Sequence, residues 1–250
     1  MKAIILAAGQ GTRIRTAHGE CPKCLIRLDH SGWTILDQQI EGLLSADVRD
    51  IGIVVGYEKD QIIRHVTRNY RTQLDHFRFI ENPAFAATNN IYSLWMARTW
   101  LKGSSIVILN ADVVFDGRIL QPAVSSLAPI TMIVDPAWRD ETMKVVIEGD
   151  RVVRMSKQIG PQDFSATYIG ITIVDAWTNG KLFSRIEELI HRGEDRVFFN
   201  VAVQQLADEG LPVGYAETEG LPWAEIDDPG DLAFARLNVF PMLSRIPAAA

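Results

Sequence analysis

The sequence predicts an α/β fold: a Rossmann-like, mostly parallel but mixed sheet flanked by helices. Three observations predict it. Short apolar runs at residues 3–6, 51–55, 77–80 and 105–109 have the composition of strands buried on both faces. Between them lie stretches whose apolar residues recur at helical spacing. Strands alternating with helices pair in parallel, and such a sheet presents its ligands at the carboxyl ends of its strands.

The first run is at the short edge of a secretory leader's apolar region and passes directly into Gly9-Gln10-Gly11-Thr12-Arg13, so it reads as an opening strand. Thr34 can cap a helix over residues 34–45, with Ile35, Leu36, Ile40, Leu43 and Leu44 on its inner face. Further helices are expected over 58–68 and 89–100. The second half changes character: runs at 144–147 and 151–155 flank Glu148-Gly149-Asp150, a hairpin turn, and 168–174 reads as another strand. Helices over 176–191 and 197–209, a strand at 213–215 and a helix over 229–239 complete the pattern. The expected organisation is one domain over 1–240 and a tail at 241–250, frayed from 244.

The chain has 250 residues, 47% of them hydrophobic, enough for a substantial core. Its formal net charge of -6 argues against a nucleic-acid binder, which needs excess Lys and Arg to displace counterions. Two cysteines, Cys21 and Cys24, fit a reducing cytoplasm better than a disulfide framework. With His18 nearby they offer no second ligand pair for structural zinc. No apolar stretch approaches the roughly 18 residues of a membrane span. The expectation is a cytoplasmic protein without membrane or nucleic-acid partners.

The loop after the first strand reads Leu6-Ala7-Ala8-Gly9-Gln10-Gly11-Thr12-Arg13, with Pro22-Lys23-Cys24-Leu25 downstream. Small residues let the backbone approach a nucleotide and aim N–H groups at its oxygens. A dinucleotide fingerprint would need glycine where Ile14 stands, and the Gly-Lys-Ser/Thr of a P-loop is absent. The loop resembles the signature of the sugar-phosphate nucleotidylyltransferases and their cytidylyltransferase relatives. That resemblance implies a GT-A-like nucleotidyltransferase fold, with the nucleotide-binding part at about 1–115 and the acceptor-binding part at about 116–240. It implies that Leu6, Ala7, Ala8, Gly9, Gly11 and Thr12 hold the nucleotide, Arg13 steadies the triphosphate, and Lys23 sits between donor and acceptor phosphates.

Cations are needed there on physical grounds. A triphosphate carries about four negative charges and a phosphomonoester about two; two unit charges roughly 4 Å apart interact by about 4 kcal/mol at an effective dielectric of 20. Carboxylates for a divalent metal are expected at strand ends. Asp112 follows the run 106–109, and if 225–227 is extended, Glu225 and Asp227 share one face while Asp228 caps the next helix. The resemblance agrees, implying Mg2+ held by Asp112, Glu225 and Asp227.

Residues 81–94, with Asn82, Thr88, Asn89, Asn90 and Ser93, supply amide and hydroxyl groups suited to a pyrimidine edge or ribose; capping alone would explain one Asn. This segment resembles the Asn-Pro-x-Tyr-x-x-x-Asn-Asn-x-x-Ser-Leu pattern of choline-phosphate and 2-aminoethylphosphonate cytidylyltransferases, with Phe85 where Tyr is usual. The resemblance implies transfer of CMP from CTP to a small phosphorylated or phosphonate acceptor, with release of pyrophosphate. Further resemblance at 141–145, 156–157 and 168–171 makes Lys144, Lys157, Tyr168 and Gly170 acceptor candidates, the lysines being equally explicable as solvated side chains. Trp138, Tyr168, Phe198 and Phe199 could cage a cationic acceptor, the Phe pair reading rather as core. Two alternatives stay open: a sugar-1-phosphate nucleotidyltransferase using another triphosphate, and a non-catalytic nucleotide-binding relative.

Overall fold

The computed structural model describes residues 1–14 and 19–243. The expected position of His18 and the frayed end at 244–250 lie outside the described residues.

The strands are β1 (Lys2–Ala7), β2 (Asp50–Val55), β3 (Phe77–Glu81), β4 (Ile106–Asn110), β5 (Val113–Phe115), β6 (Ile130–Asp135), β7 (Lys144–Glu148), β8 (Arg151–Ser156), β9 (Ala166–Val174), β10 (Val213–Glu217) and β11 (Trp223–Glu225). The helices are α1 (Ile35–Ser45), α2 (Lys59–Asn69), α3 (Asn90–Met96), α4 (Arg98–Leu101), α5 (Leu120–Val124), α6 (Ala176–His191), α7 (Asn200–Asp208) and α8 (Pro229–Phe234).

Nine strands form one sheet in the order β10-β6-β9-β4-β1-β2-β3, with the β7–β8 hairpin attached to β9. β1 pairs in parallel with β2 and β4, β2 with β3, and β10 with β6. β9 runs antiparallel between β4 and β6, which makes the sheet mixed. In the hairpin, Glu148 pairs with Arg151 across Gly149-Asp150, and Gly149 takes φ +62°, a conformation that favours glycine.

Alternation along β1 explains the two-sided burial. Ile4 and Leu6 enter a core shared with α3, α6 and α7, while Ala3, Ile5 and Ala7 enter another beneath α1 and α2. Thr34 caps α1 through a capping box with Asp37. The helical pattern over 89–100 divides at Ala97, whose N–H bonds to Leu94 O and Trp95 O. Similarly, the helix expected over 229–239 is α-helical only to Phe234 and widens to a π turn over Ala235–Val239.

Two short strands and one longer one escape the periodicity argument. β5 and β11 pair antiparallel as a separate ribbon, with Glu225 opposite Val113. β6 is buried on both faces and supplies Met132 to one core and Ile133 to the other.

Candidate functional site

The cleft of about 280 Å³ lies at the carboxyl ends of β1 and β4. Leu6, Ala7, Gly9, Gly11, Thr12 and Arg13 line one wall, and Asn89 and Asn90 another. Lys23, Asp112, Lys157, Glu225 and Asp227 converge on the same space.

Two devices deliver Asp112. Buried Gln39 of α1 donates its amide to Asn110 O at 2.7 Å and Val113 O at 2.9 Å, clamping both sides of the turn that carries the aspartate. The ribbon then brings Glu225 alongside, and Ile226 N donates to Asp112 O at 2.9 Å. Asp228 caps α8, accepting from Gly230 N and Asp231 N, and Asp231 accepts from Asp227 N. Capping and cleft duties therefore fall on alternate residues, as the period of an extended segment requires.

Lys23 Nζ lies 2.8 Å from Asp112 Oδ2 and 2.6 Å from Asp227 Oδ1. Arg13 reaches Asp227 Oδ2 at 2.9 Å. Burial opposes the Lys23 charge, but its two carboxylate partners outweigh it and hold the ammonium above its ordinary value. Burial likewise works against ionised Asp227, which Lys23, Arg13 and Lys157 nonetheless hold below the usual aspartate range. Glu225 takes the opposite course: burial first, then repulsion from Asp112 and Asp227, push it up to about 8.

Oxygens of Asp112, Glu225 and Asp227 lie within 4.8 Å of one another. Asp112 Oδ1 is buried without a hydrogen-bond partner. A carboxylate oxygen facing a cluster of like charges wants a cation, and an all-oxygen set suits a hard divalent ion that also takes phosphate oxygens and water.

The glycines divide their labour. Gly11 has φ +57°, and a Cβ there would stand 3.1 Å from Lys23 Cβ, so the loop rests against the lysine. A Cβ on Gly9 would meet nothing of the protein within 4 Å, leaving that backbone open to the cleft.

Several sequence candidates stand elsewhere. Ala8 is buried and its carbonyl accepts from Tyr57 N. Asn82 donates to Thr88 Oγ1 and Ser93 Oγ and accepts from Ala84 N, so these three side chains fasten the loop that presents Asn89 and Asn90. Asn90 itself accepts from Phe199 N and donates to Asn110 Oδ1.

Lys144 is buried, its ammonium satisfied by Asp140 O and Thr142 O and lying over the Trp138 ring, so it is not a solvated lysine and does not line the cleft. Tyr168 is also buried, its hydroxyl bonded to Thr172 Oγ1 at 2.8 Å. Gly170 lies against Val113 and Asn110, where a Cβ would come within 2.8 Å of Val113 Cγ2. The Phe pair separates: Phe199 is core, but Phe198 lines the cleft with Lys157 Nζ 5.6 Å from its ring centre. Consecutive residues at a helix entrance point in different directions, which composition alone does not reveal.

Cys21 and Cys24 are free thiols, and burial pushes both up, away from the reactive thiolate. Among the described residues no helix is long and apolar enough to cross a membrane.

Residues 3–207 match the MobA-like NTP transferase domain family. Over 257 residues the chain is 24% identical to the CTP:phosphoglutamine cytidylyltransferase of Campylobacter jejuni, covering 93% of this chain and 98% of that one. It is 26% identical over 243 residues to the CMP-5'-(3-aminopropyl)phosphonate synthase of Streptomyces rubellomurinus, covering 92% of this chain but only 37% of that longer protein. Among solved structures, the CTP:phosphocholine cytidylyltransferase of Streptococcus pneumoniae superposes with a TM-score of 0.75 at 28% identity, covering 94% of this chain and 97% of that one. A glycine loop at the first strand's end, an acidic trio drawn from the turn after β4 and the end of β11, and a family match over residues 3–207 agree: the chain belongs to the MobA-like NTP transferase family and is a nucleotidyltransferase.

Proposed function

We propose that the protein is a Mg2+-dependent cytidylyltransferase that moves CMP from CTP to a small phosphorylated or phosphonate acceptor and releases pyrophosphate. The convergence of Lys23, Asp112, Glu225 and Asp227 beside the glycine loop carries the reading. Relatives whose names specify CTP or a CMP-linked product, together with phosphorylated or phosphonate compounds, support the choice of donor and acceptor class.

In this mechanism an acceptor oxygen attacks the α-phosphorus of CTP in line with the leaving group. The bond from that phosphorus to the bridging oxygen breaks, and pyrophosphate departs with the electron pair. No covalent bond to the protein forms. The backbone of residues 9–12 cradles the triphosphate, Arg13 accompanies the departing pyrophosphate, and Asn89 and Asn90 border the nucleoside. Lys23 and Lys157 offset the charge where the two phosphates meet. Asp112, Glu225 and Asp227 would hold Mg2+, which supplies charge neutralisation to the phosphate oxygens.

On this reading residues 1–240 form one catalytic domain whose partners are CTP and the acceptor. The free thiols suit action in a reducing cytoplasm. The test is a pyrophosphate-release screen crossing CTP, UTP, GTP and dTTP with phosphocholine, 2-aminoethylphosphonate, inositol phosphate and sugar 1-phosphates. Release with CTP and a non-sugar acceptor is expected. Release only with another triphosphate and a sugar 1-phosphate would replace the reading, and nucleotide binding without turnover of any pair would make the chain a non-catalytic relative.

A further inference from the structure

We infer that the acceptor carries an ammonium and a carboxylate besides its phosphate or phosphonate, and that Arg139 binds the carboxylate; this rests on the transfer reaction proposed above.

A second cavity of about 240 Å³ adjoins the cleft and shares Glu225 and Asp227 with it. Arg139, Asp140, Glu141, Asp228 and Asp231 form much of its remaining wall. Arg13 of the cleft and Glu141 of this cavity approach to 3.8 Å, so the two spaces meet across that pair. An acceptor whose phosphate lies at Lys23 therefore extends the rest of its body into the second cavity.

The walls there are acidic. Asp228 and Asp231 hold the first turn of α8, and Asp140 accepts from Trp138 Nε1, but each of these bonds comes from a neutral donor and leaves the carboxylate charge uncompensated. A cationic group on the acceptor is favoured in such surroundings.

Arg139 stands among these acids without using them. Among the described residues it forms no ion pair, although the same cavity wall carries several carboxylates. Its guanidinium lies instead 4.3 Å from the centre of the Trp223 ring and 6.0 Å from that of Phe234. Its Nε is buried and lacks a hydrogen-bond partner. The platform is rigid, because Trp223 is buried and its indole N–H donates to Asp135 Oδ2 at 2.7 Å. A guanidinium fixed by stacking, with no acid engaging its terminal amino groups, matches a planar carboxylate in two-point contact. Acid walls and one uncommitted guanidinium in a single small cavity are complementary to a zwitterion, the head of an α-amino acid.

The experiment uses two matched pairs that differ only by the carboxylate: O-phosphoserine against phosphoethanolamine, and 2-amino-4-phosphonobutyrate against 3-aminopropylphosphonate. Calorimetric binding to the Mg2+–CTP-analogue complex and pyrophosphate release with CTP are both read. The carboxylate-bearing member should bind and react better by roughly tenfold or more, as a charge-assisted bidentate contact implies. In Arg139→Gln that preference should vanish through a raised acceptor KM, with KM for CTP unchanged; Arg139→Lys should recover part of it. Equal or better binding of the decarboxylated members to the wild-type protein overturns the inference, as does an equal loss for all four in Arg139→Gln. Selective binding without pyrophosphate release would overturn the transfer reaction and leave the zwitterion site standing.

Discussion

The ammonium of Lys23 lies 2.8 Å from Asp112 Oδ2 and bridges that carboxylate to Asp227. One cation thus neutralises two of the three acids that could hold a metal, and it does so from the loop following the glycines. The same three acids are offered two kinds of positive charge, an internal one and a divalent ion.

Replacing Lys23 with Met keeps the volume of the side chain and removes its charge. The carboxylates are left repelling one another, so the variant melts at lower temperature without metal, and added Mg2+ raises its melting temperature by more than it raises the wild type's. Turnover falls by about a hundredfold or more, the scale on which single charge-stabilising groups act. Scanning calorimetry with and without Mg2+ checks the first statement, and an equal Mg2+ shift in both proteins contradicts it.

Asp112→Asn leaves the backbone bonds of the β5–β11 ribbon and both Gln39 contacts intact, since these use main-chain atoms at and around the residue. Far-ultraviolet circular dichroism should be unchanged while pyrophosphate release is lost. Retained activity would remove the residue from the mechanism.

Gly9 and Gly11 separate binding from strain. Gly9→Ala meets no protein atom, so stability holds while KM for the nucleotide rises where the methyl enters the cleft. Gly11→Ala requires a left-handed backbone and presses on Lys23 Cβ at 3.1 Å, costing about 1–2 kcal/mol of stability together with activity. Urea titration beside steady-state kinetics distinguishes the two, and matching effects from both substitutions would refute the division.

Lys144 and Tyr168 should behave as structural groups. Lys144→Met removes the buried ammonium from two part-buried carbonyls and lowers stability by about 1–3 kcal/mol, leaving acceptor KM unchanged. Tyr168→Phe strips the hydroxyl from Thr172 and should act likewise, with a smaller loss. A selective rise in acceptor KM in either variant would return that residue to the site.

These contrasts show what the sequence discloses. The strand-end positions of Gly9, Gly11 and Asp112 were legible, because a buried strand announces its end where the apolar run stops and a turn begins. The extended step from Glu225 to Asp227 followed from the period of two. β5 and β11, at three residues each, are too short to show a period, so the ribbon that sets Glu225 beside Asp112 was not legible. β6 was missed although apolar, since 130–135 lacks flanking helical patterns strong enough to set it in an alternating unit. Arg139 and Phe198 lie outside the regular strands and helices, where side-chain direction depends on tertiary contacts rather than on a repeat.

Acid stability is expected to depend on Asp37, at the N-terminal turn of α1. Its Oδ2 accepts from Thr34 N at 2.9 Å and Thr34 Oγ1 at 2.6 Å, while Oδ1 accepts from Tyr70 OH at 3.1 Å and stands 2.8 Å from His65 Nε2. Burial pushes the carboxyl up, but its bonds to His65 and Thr34 together prevail and hold it below the ordinary value of 3.8. The unfolded chain therefore binds the proton first as pH falls. The stabilisation is complete above about 3.8 and is lost as pH drops through the lower folded value. Asp37→Asn, which breaks this buried set, should cost about 2–4 kcal/mol near neutrality. The gap between wild type and variant in urea midpoints should then narrow progressively as pH falls below 3.8, and a gap that stayed constant throughout the acid limb would sever the link to Asp37 ionisation. Because α1 also carries Gln39, which clamps the Asp112 turn, loosening its first turn reaches the site, and Asp37→Asn should lose activity at a lower temperature than wild type.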